Sequence, residues 1–147
     1  MPDPPRLRRF RPSDLDAVMA VERASFRRDA YPRDLFLEYA AAGALFLVAE
    51  VPGGIAGYAL ACLRGERAEL VSIAVHPSHR RSGAGKALLA SVIRRLRRAG
   101  ARRLTLTVKV TNRNAIRFYA GFGFRRLRRA PRYYEDGRDG WLMARDN

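Results

Sequence analysis

Cysteine occurs once in this chain, at Cys62, and histidine twice, at His76 and His79. A lone cysteine excludes an intramolecular disulfide, and a four-ligand zinc site lacks its thiolates. Two histidines leave no His-based cluster, so no metal is expected. Long apolar runs are missing as well: the longest nearly uninterrupted one, Tyr39 to Ala49, is too short to cross a bilayer. The chain opens Met1-Pro-Asp-Pro-Pro-Arg6 and continues with charge rather than a signal core, which predicts a cytoplasmic protein with no membrane partner. Repeats, low-complexity linkers and Pro/Gly/Ser-rich boundaries are also absent. The 147 residues therefore read as one domain, 1–147, long enough to bury a core without a disulfide or metal staple. The sharpest absence is of one charge. From Leu70 to Tyr134 there is no Asp or Glu, while the same stretch carries fifteen Arg plus Lys86 and Lys109.

That block dominates what is there. Across the chain 29 basic side chains face 14 acidic ones, for a net charge of +15. Such a field attracts polyanions. Because 27 of the 29 cations are Arg, a GC-rich coding bias explains the arginine excess equally well, but it does not explain the missing carboxylates. An anionic ligand or partner is the favoured reading. The apolar share of 48% fits a globular fold.

Periodicity lays out the elements. Leu7 to Arg11 reads as a strand. Ser13-Asp-Leu-Asp16 resembles a capping box opening a helix with Leu15, Val18, Met19 and Glu22 on one face. Arg27 to Tyr31 reads as a loop, and Pro32 suits the first turn of a helix to about Ala42. Leu45 to Val51 and Ile55 to Leu63 are apolar strands joined by a Pro52-Gly53-Gly54 turn, and Ala68 to Val75 is a third. A helix from about Gly85 presents Leu88, Leu89, Val92, Ile93 and Leu96 to the core, with Gly100 just past its end. Leu104 to Val108 is a strand and Asn112 to Ala120 a short helix. Strands near Phe124 to Leu127 and Trp141 to Ala144 close the chain. The order βααβββαβαββ predicts a mixed α/β (α+β) fold with a central mixed sheet flanked by helices.

One segment carries chemistry. An apolar strand runs into Arg80-Arg-Ser-Gly-Ala-Gly85 and then into an amphipathic helix. Gly83 and Gly85 allow close backbone approach, and the helix N-terminus offers unpaired N–H groups to a pyrophosphate. It is neither a Walker loop nor the three-glycine dinucleotide fingerprint. Arg-x-x-Gly-x-Gly after an apolar strand resembles the acetyl-CoA signature of the GNAT superfamily of N-acetyltransferases. The run Asn112-Arg-Asn-Ala-Ile-Arg-Phe-Tyr-Ala-Gly-Phe-Gly-Phe124 resembles that superfamily's second motif, and the element order matches the GNAT fold. Arg132-Tyr-Tyr-Glu-Asp-Gly-Arg-Asp-Gly-Trp-Leu-Met-Ala144 resembles the tail of RimI-like, archaeal and eukaryotic protein N-terminal acetyltransferases.

The resemblance implies acetyl-CoA as co-substrate. It places the backbone of Ile73 and Val75 along the pantetheine arm, in the manner of an added strand. Arg80, Arg81, Gly83, Gly85 and Lys86 fall around the pyrophosphate, although Arg80 also reads as a solvated loop charge. Asn112 is implied to orient the cofactor, to cap a helix, or both. Cys62 reads as a small core side chain, against a covalent acetyl-cysteine route.

Transfer to an amine needs a group to take the ammonium proton and one to protonate the thiolate. Tyr119 stands at the superfamily's general-acid position, its alternative being a core tyrosine. A backbone N–H, that of Ile73, is implied to stabilise the oxyanion. Relatives with Leu-Glu-Val or Leu-His-Val on the fifth strand find their base there. Here the tripeptide is Leu106-Thr107-Val108, and Thr107 is no base near neutral pH. Glu69, in a segment that resembles the one bearing the catalytic Glu of the superfamily's histone-acetylating members, is the replacement candidate, against the alternative of an exposed strand-start carboxylate. Asp29, which resembles an acidic loop residue of the archaeal enzymes, is second. Tyr31, Tyr133 and Tyr134 are candidates to line the amine pocket.

The expected activity is acetyl transfer to a protein N-terminal α-amine by direct attack on the thioester. The alternatives are a small amine or polyamine acceptor, or a non-catalytic protein that binds nucleic acid or the ribosome. The basic surface makes a ribosome or other polyanion a candidate partner.

Overall fold

The computed structural model describes residues 4–147. Strand β1 (Arg6–Arg9) leads through a 3-10 turn at Pro12–Asp14 into helix α1 (Leu15–Phe26). A second 3-10 turn, Arg27–Asp29, precedes α2 (Arg33–Ala41). Strands β2 (Leu45–Val51), β3 (Gly54–Arg64) and β4 (Arg67–Val75) follow as a meander. Then come α3 (Ala84–Arg98), β5 (Arg103–Lys109), α4 (Arg113–Gly121), β6 (Arg125–Ala130) and β7 (Gly140–Asp146). The strands form one seven-stranded sheet in the order β1-β2-β3-β4-β5-β7-β6. Neighbours are antiparallel except β4 and β5, which run parallel across the α3 crossover.

Alternate residues of β2 divide the core between the two faces of the sheet. Leu47 and Ala49 join α3, whose Leu88, Leu89, Val92, Ile93 and Leu96 are all buried. Phe46 and Val48 join α1 and α2 through Val18, Met19 and Phe36. Each of these side chains other than Ala49 contributes about 1.5–3 kcal/mol by leaving water. Strand β1 ends at Arg9 rather than Arg11, a 3-10 turn occupies Arg27–Asp29 where a loop is read, and two other departures have a clear physical cause. Ser13 and Asp16 form no capping box. Pro12 starts the turn early, so Asp14 takes the reciprocal position, accepting the Arg11 backbone N–H at 2.7 Å. Asp14 also accepts both ends of the Arg8 guanidinium at 2.8 Å, while Asp16 faces solvent and pairs with Arg33. The sixth strand begins at Arg125 rather than Phe124, because Phe124 turns into the core. As an edge strand with a register shift between Arg126 and Arg128, β6 shows no apolar alternation that sequence reasoning can use.

The two outer strands share a character. Both β1 and β6 are rich in arginine, with Arg6 and Arg9 exposed on one edge and Arg125, Arg126, Arg128 and Arg129 on the other. The guanidiniums of Arg126 and Arg129 each lie 5.3 Å from the centre of the Trp141 ring.

Candidate active site

The site begins where two strands part. β4 pairs with β5 only through Arg67–Glu69 against Arg103–Thr105. Beyond Glu69, β5 stays with β7 while β4 stays with β3, so β4 from Leu70 to Val75 has no strand partner on its β5 side. A register shift opposite Leu60 and Ala61 leaves Val71 as the extra residue of a bulge, which increases the local twist as the fork opens. At the far end Gly57 faces Val75, where an added Cβ would stand 2.6 Å from the Ala74 carbonyl oxygen. A cleft of ≈ 620 Å³ fills the fork. Ile73, Val75, Thr107, Asn112 and Tyr119 lie in its wall.

The cleft runs into a second basin of ≈ 480 Å³ around the glycine loop, and Val75, Arg80, Gly85 and Phe118 line both. Arg81 (φ 70°) and Gly83 (φ 85°) adopt left-handed backbone, and Gly83 is the residue capping the N-terminus of α3. Left-handed residues in a loop turn successive N–H groups into one concavity, and here the helix dipole adds to it. Lys86 and Arg81 supply the cationic walls of that basin, so the loop suits a pyrophosphate. No atom beyond its chain neighbours lies within 4 Å of a Cβ built at Gly83, leaving the basin open on that side. Asn112 caps α4, its Oδ1 accepting the Ala115 N–H at 3.2 Å while it also lines the cleft.

The candidate acid and base sit differently. Tyr119 reaches the cleft from α4, with its ring against Phe124 at 5.8 Å, and burial pushes its phenol well above the usual tyrosine range. The phenol is therefore protonated at neutral pH. Glu69 occupies the apex of the fork, opposite Cys62 and Thr105, with its side chain exposed and outside the cleft wall. Asp29 lines the cleft but is ion-paired with Lys109 Nζ at 2.8 Å. The same Nζ is 2.7 Å from Asp136 and 5.2 Å from the centre of the Tyr134 ring. Lys109 thus joins the segment between α1 and α2 to the β6–β7 loop. Tyr31 and Tyr134 line the cleft, and burial pushes the Tyr31 phenol up to about 12. Tyr133 packs on Tyr134 but is 51% exposed and outside the wall. Cys62 lies in β3, its thiol pushed up chiefly by burial, and is not part of the cleft.

Sequence reasoning gave no role to Glu22, Ser25, Ser72, Lys109 or Asp136. Glu22, Ser25 and Ser72 line the cleft, and Ser25 Oγ is buried without a hydrogen-bond partner. The available signal was Glu22 itself, a carboxylate in the apolar stripe of α1.

A parted strand pair leading into a glycine-bearing helix N-terminus is the architecture of an acyl-CoA-dependent transferase. The chain belongs to the acetyltransferase (GNAT) family, whose model matches residues 15–124. An uncharacterized N-acetyltransferase of Methanocaldococcus jannaschii is 36% identical over 95% of this chain and 90% of its own length. An N-alpha-acetyltransferase of Sulfurisphaera tokodaii is 32% identical over 95% and 91%. Among solved structures, Ard1 from Thermoplasma volcanium superposes with a TM-score of 0.92 at 27% identity, covering 98% of each chain. The ribosomal-protein-alanine N-acetyltransferase of Escherichia coli superposes with a TM-score of 0.88 at 28% identity, covering 97% and 93%. The protein is an N-acetyltransferase with acetyl-CoA as donor.

Proposed function

We propose that the acceptor is a protein N-terminal α-amine. One observation carries this reading: the acceptor side of the cleft has aromatic walls, and Asp29 within it is already ion-paired with Lys109. Asp29 and Asp136 share Lys109, while Tyr31 and Tyr134 present phenols held protonated by burial. A polyamine brings further ammonium groups that need free carboxylates. A peptide terminus brings one amine and backbone carbonyls that accept from phenols. The relatives named as N-alpha- and ribosomal-protein N-acetyltransferases support the same choice.

In this reading the loop from Arg80 to Lys86 holds the pyrophosphate, and the free edge of β4 at Ile73 and Val75 holds the pantetheine arm. Asn112 orients the donor from the α4 side. The neutral amine attacks the thioester carbonyl carbon, and the oxyanion is met by the backbone N–H of Ile73. Before that attack the substrate ammonium passes one proton through water to Glu69, whose exposed position at the fork apex requires such a relay. Collapse breaks the carbon–sulfur bond, and Tyr119 gives its proton to the thiolate. The nitrogen loses its second proton to water as the amide forms, and Tyr119 is reprotonated from that water. Acetyl-CoA consumption with a panel of N-terminal peptides and polyamines, read by mass spectrometry, tests the acceptor. Acetylated peptide is expected. Acetylated polyamine with untouched peptide refutes the reading.

The basic surface supports a cytoplasmic setting beside a ribosome or another polyanion. Arg94, Arg97 and Arg98 on α3 and Arg113 and Arg117 on α4 are exposed, with no carboxylate partner among the described residues. Ribosome binding that weakens steeply with salt is the expected signature.

A further inference from the structure

Beneath the acceptor side of the cleft lies a polar network that the transfer itself does not consume. Glu22 is completely buried. Its Oε2 accepts the backbone N–H of Tyr31 at 2.9 Å, and its Oε1 accepts the hydroxyl of Tyr58. The Tyr58 hydroxyl oxygen is in turn 2.7 Å from Ser72 Oγ. One carboxylate therefore connects α1, the loop that carries Asp29 and Tyr31, the middle of β3, and β4 beside its bulge. Ser72 immediately precedes Ile73, the residue assigned to the oxyanion, and follows the bulged Val71. No cation is paired with Glu22 among the described residues. Burial raises its pKa, as expected for a carboxylate held by neutral donors alone. Packing alone is served better by an apolar residue of that size, because a buried charge costs several kcal/mol before its hydrogen bonds are counted.

We propose that Glu22 is a positioning residue for acetyl transfer, which locks the acceptor loop at the Tyr31 N–H to the β4 bulge through Tyr58 and Ser72. The two halves of the reaction lie on those two elements. The acceptor pocket belongs to the loop, and the oxyanion donor belongs to β4. A misplacement of about 1 Å between reacting groups costs roughly a hundredfold in rate. This inference rests on the site assigned above.

The test uses the whole protein and compares Tyr58→Phe, Ser72→Ala, Glu22→Gln and Glu22→Ala. Tyr58→Phe keeps the ring and removes only the hydroxyl that links Glu22 to Ser72, so it remains informative if Glu22→Ala fails to fold. Tyr58→Phe and Glu22→Ala are expected to lower kcat/KM for the acceptor by roughly ten- to a hundredfold, mostly in kcat. The Kd for acetyl-CoA, measured by calorimetry, is expected to stay at the wild-type value. Glu22→Gln is expected to recover most of the loss, since its amide oxygen still accepts from Tyr31 and its NH₂ reaches Tyr58. Wild-type kcat/KM in Tyr58→Phe overturns the proposal, as does a loss in kcat/KM no larger than the loss of folded protein. If the wild type acetylates no peptide, it is the acceptor reading that falls. The same four variants are then compared on the amine that the wild type does acetylate, with the same outcomes deciding.

Discussion

Valine at position 83 separates two roles of one glycine. Gly83 has φ +85° and no atom beyond its chain neighbours within 4 Å of an added Cβ, so the Cβ of Gly83→Val meets no clash in the fold. It meets backbone strain, about 1–2 kcal/mol for a side chain in the left-handed region. In a domain of this size that lowers Tm by roughly 2–8 °C. The effect on acetyl-CoA is larger and of another kind. In the proposed site the isopropyl group stands where the pyrophosphate would approach, and charge-assisted hydrogen bonds contribute about 1.5–3 kcal/mol each. Losing two of them weakens binding by about 3–6 kcal/mol, or roughly 10²- to 10⁴-fold in Kd. Gly53→Val is the matched control, because Gly53 has φ +90° and equally open surroundings but lies in the β2–β3 turn. Both variants are expected to lose similar stability, and only Gly53→Val to keep wild-type affinity by calorimetry and the full ligand-induced rise in Tm. Wild-type Kd in Gly83→Val refutes the placement of the pyrophosphate.

Tyr119→Phe keeps the ring and removes the proton donor, so kcat is expected to fall roughly ten- to a thousandfold with the acetyl-CoA Kd unchanged; an unchanged single-turnover rate removes Tyr119 from the mechanism. Glu69→Gln is expected to suppress turnover near neutral pH, and the deficit is expected to shrink above the acceptor's own pKa, ~7.7–8.0 for a free α-amine. Coincident pH–rate profiles of wild type and Glu69→Gln show instead that the amine loses its proton in bulk water. The Arg8 guanidinium holds the Asp14 carboxyl below the usual range, so its contribution is complete above ~3.9 and is lost as pH falls through the depressed folded value. Arg8→Leu is therefore expected to cost about 2 kcal/mol at pH 7, a gap that narrows below about pH 4 in urea titrations.

Local chemistry made much of this fold legible. Strand β2 begins at Leu45 and ends at Val51 as read, because its apolar run stops at a Pro-Gly-Gly turn. The five apolar positions of α3 are all buried because they repeat with the helical period. The fork was not legible, since nothing within β4 or β5 states that they pair at Arg67–Glu69 and then separate. That outcome depends on β7 inserting beside β5 from the far end of the chain. The same limit applies to the site's polar links. Lys109 meets Asp29 and Asp136, and Glu22 meets Tyr58 and Ser72, only after the sheet has assembled. Motifs contiguous in sequence, such as the loop from Arg80 to Gly85, were readable, whereas the groups that fix their surroundings are dispersed.

The arginine-bearing outer strands bear on how copies of this chain meet one another. An unpaired strand edge is a template for another strand, and an open sheet has two of them. Here any edge-to-edge meeting, β1 on β1, β6 on β6 or one on the other, brings exposed guanidiniums toward guanidiniums across strands about 4.8 Å apart. Cross-strand repulsion of like charges opposes that pairing, and it reaches only about 8 Å in physiological salt. Charge thus opposes polymerisation through the sheet, and that opposition weakens as ionic strength rises. Concentrated salt, which loosens any grip this protein has on a polyanion, is also the condition that lets its own edges find each other.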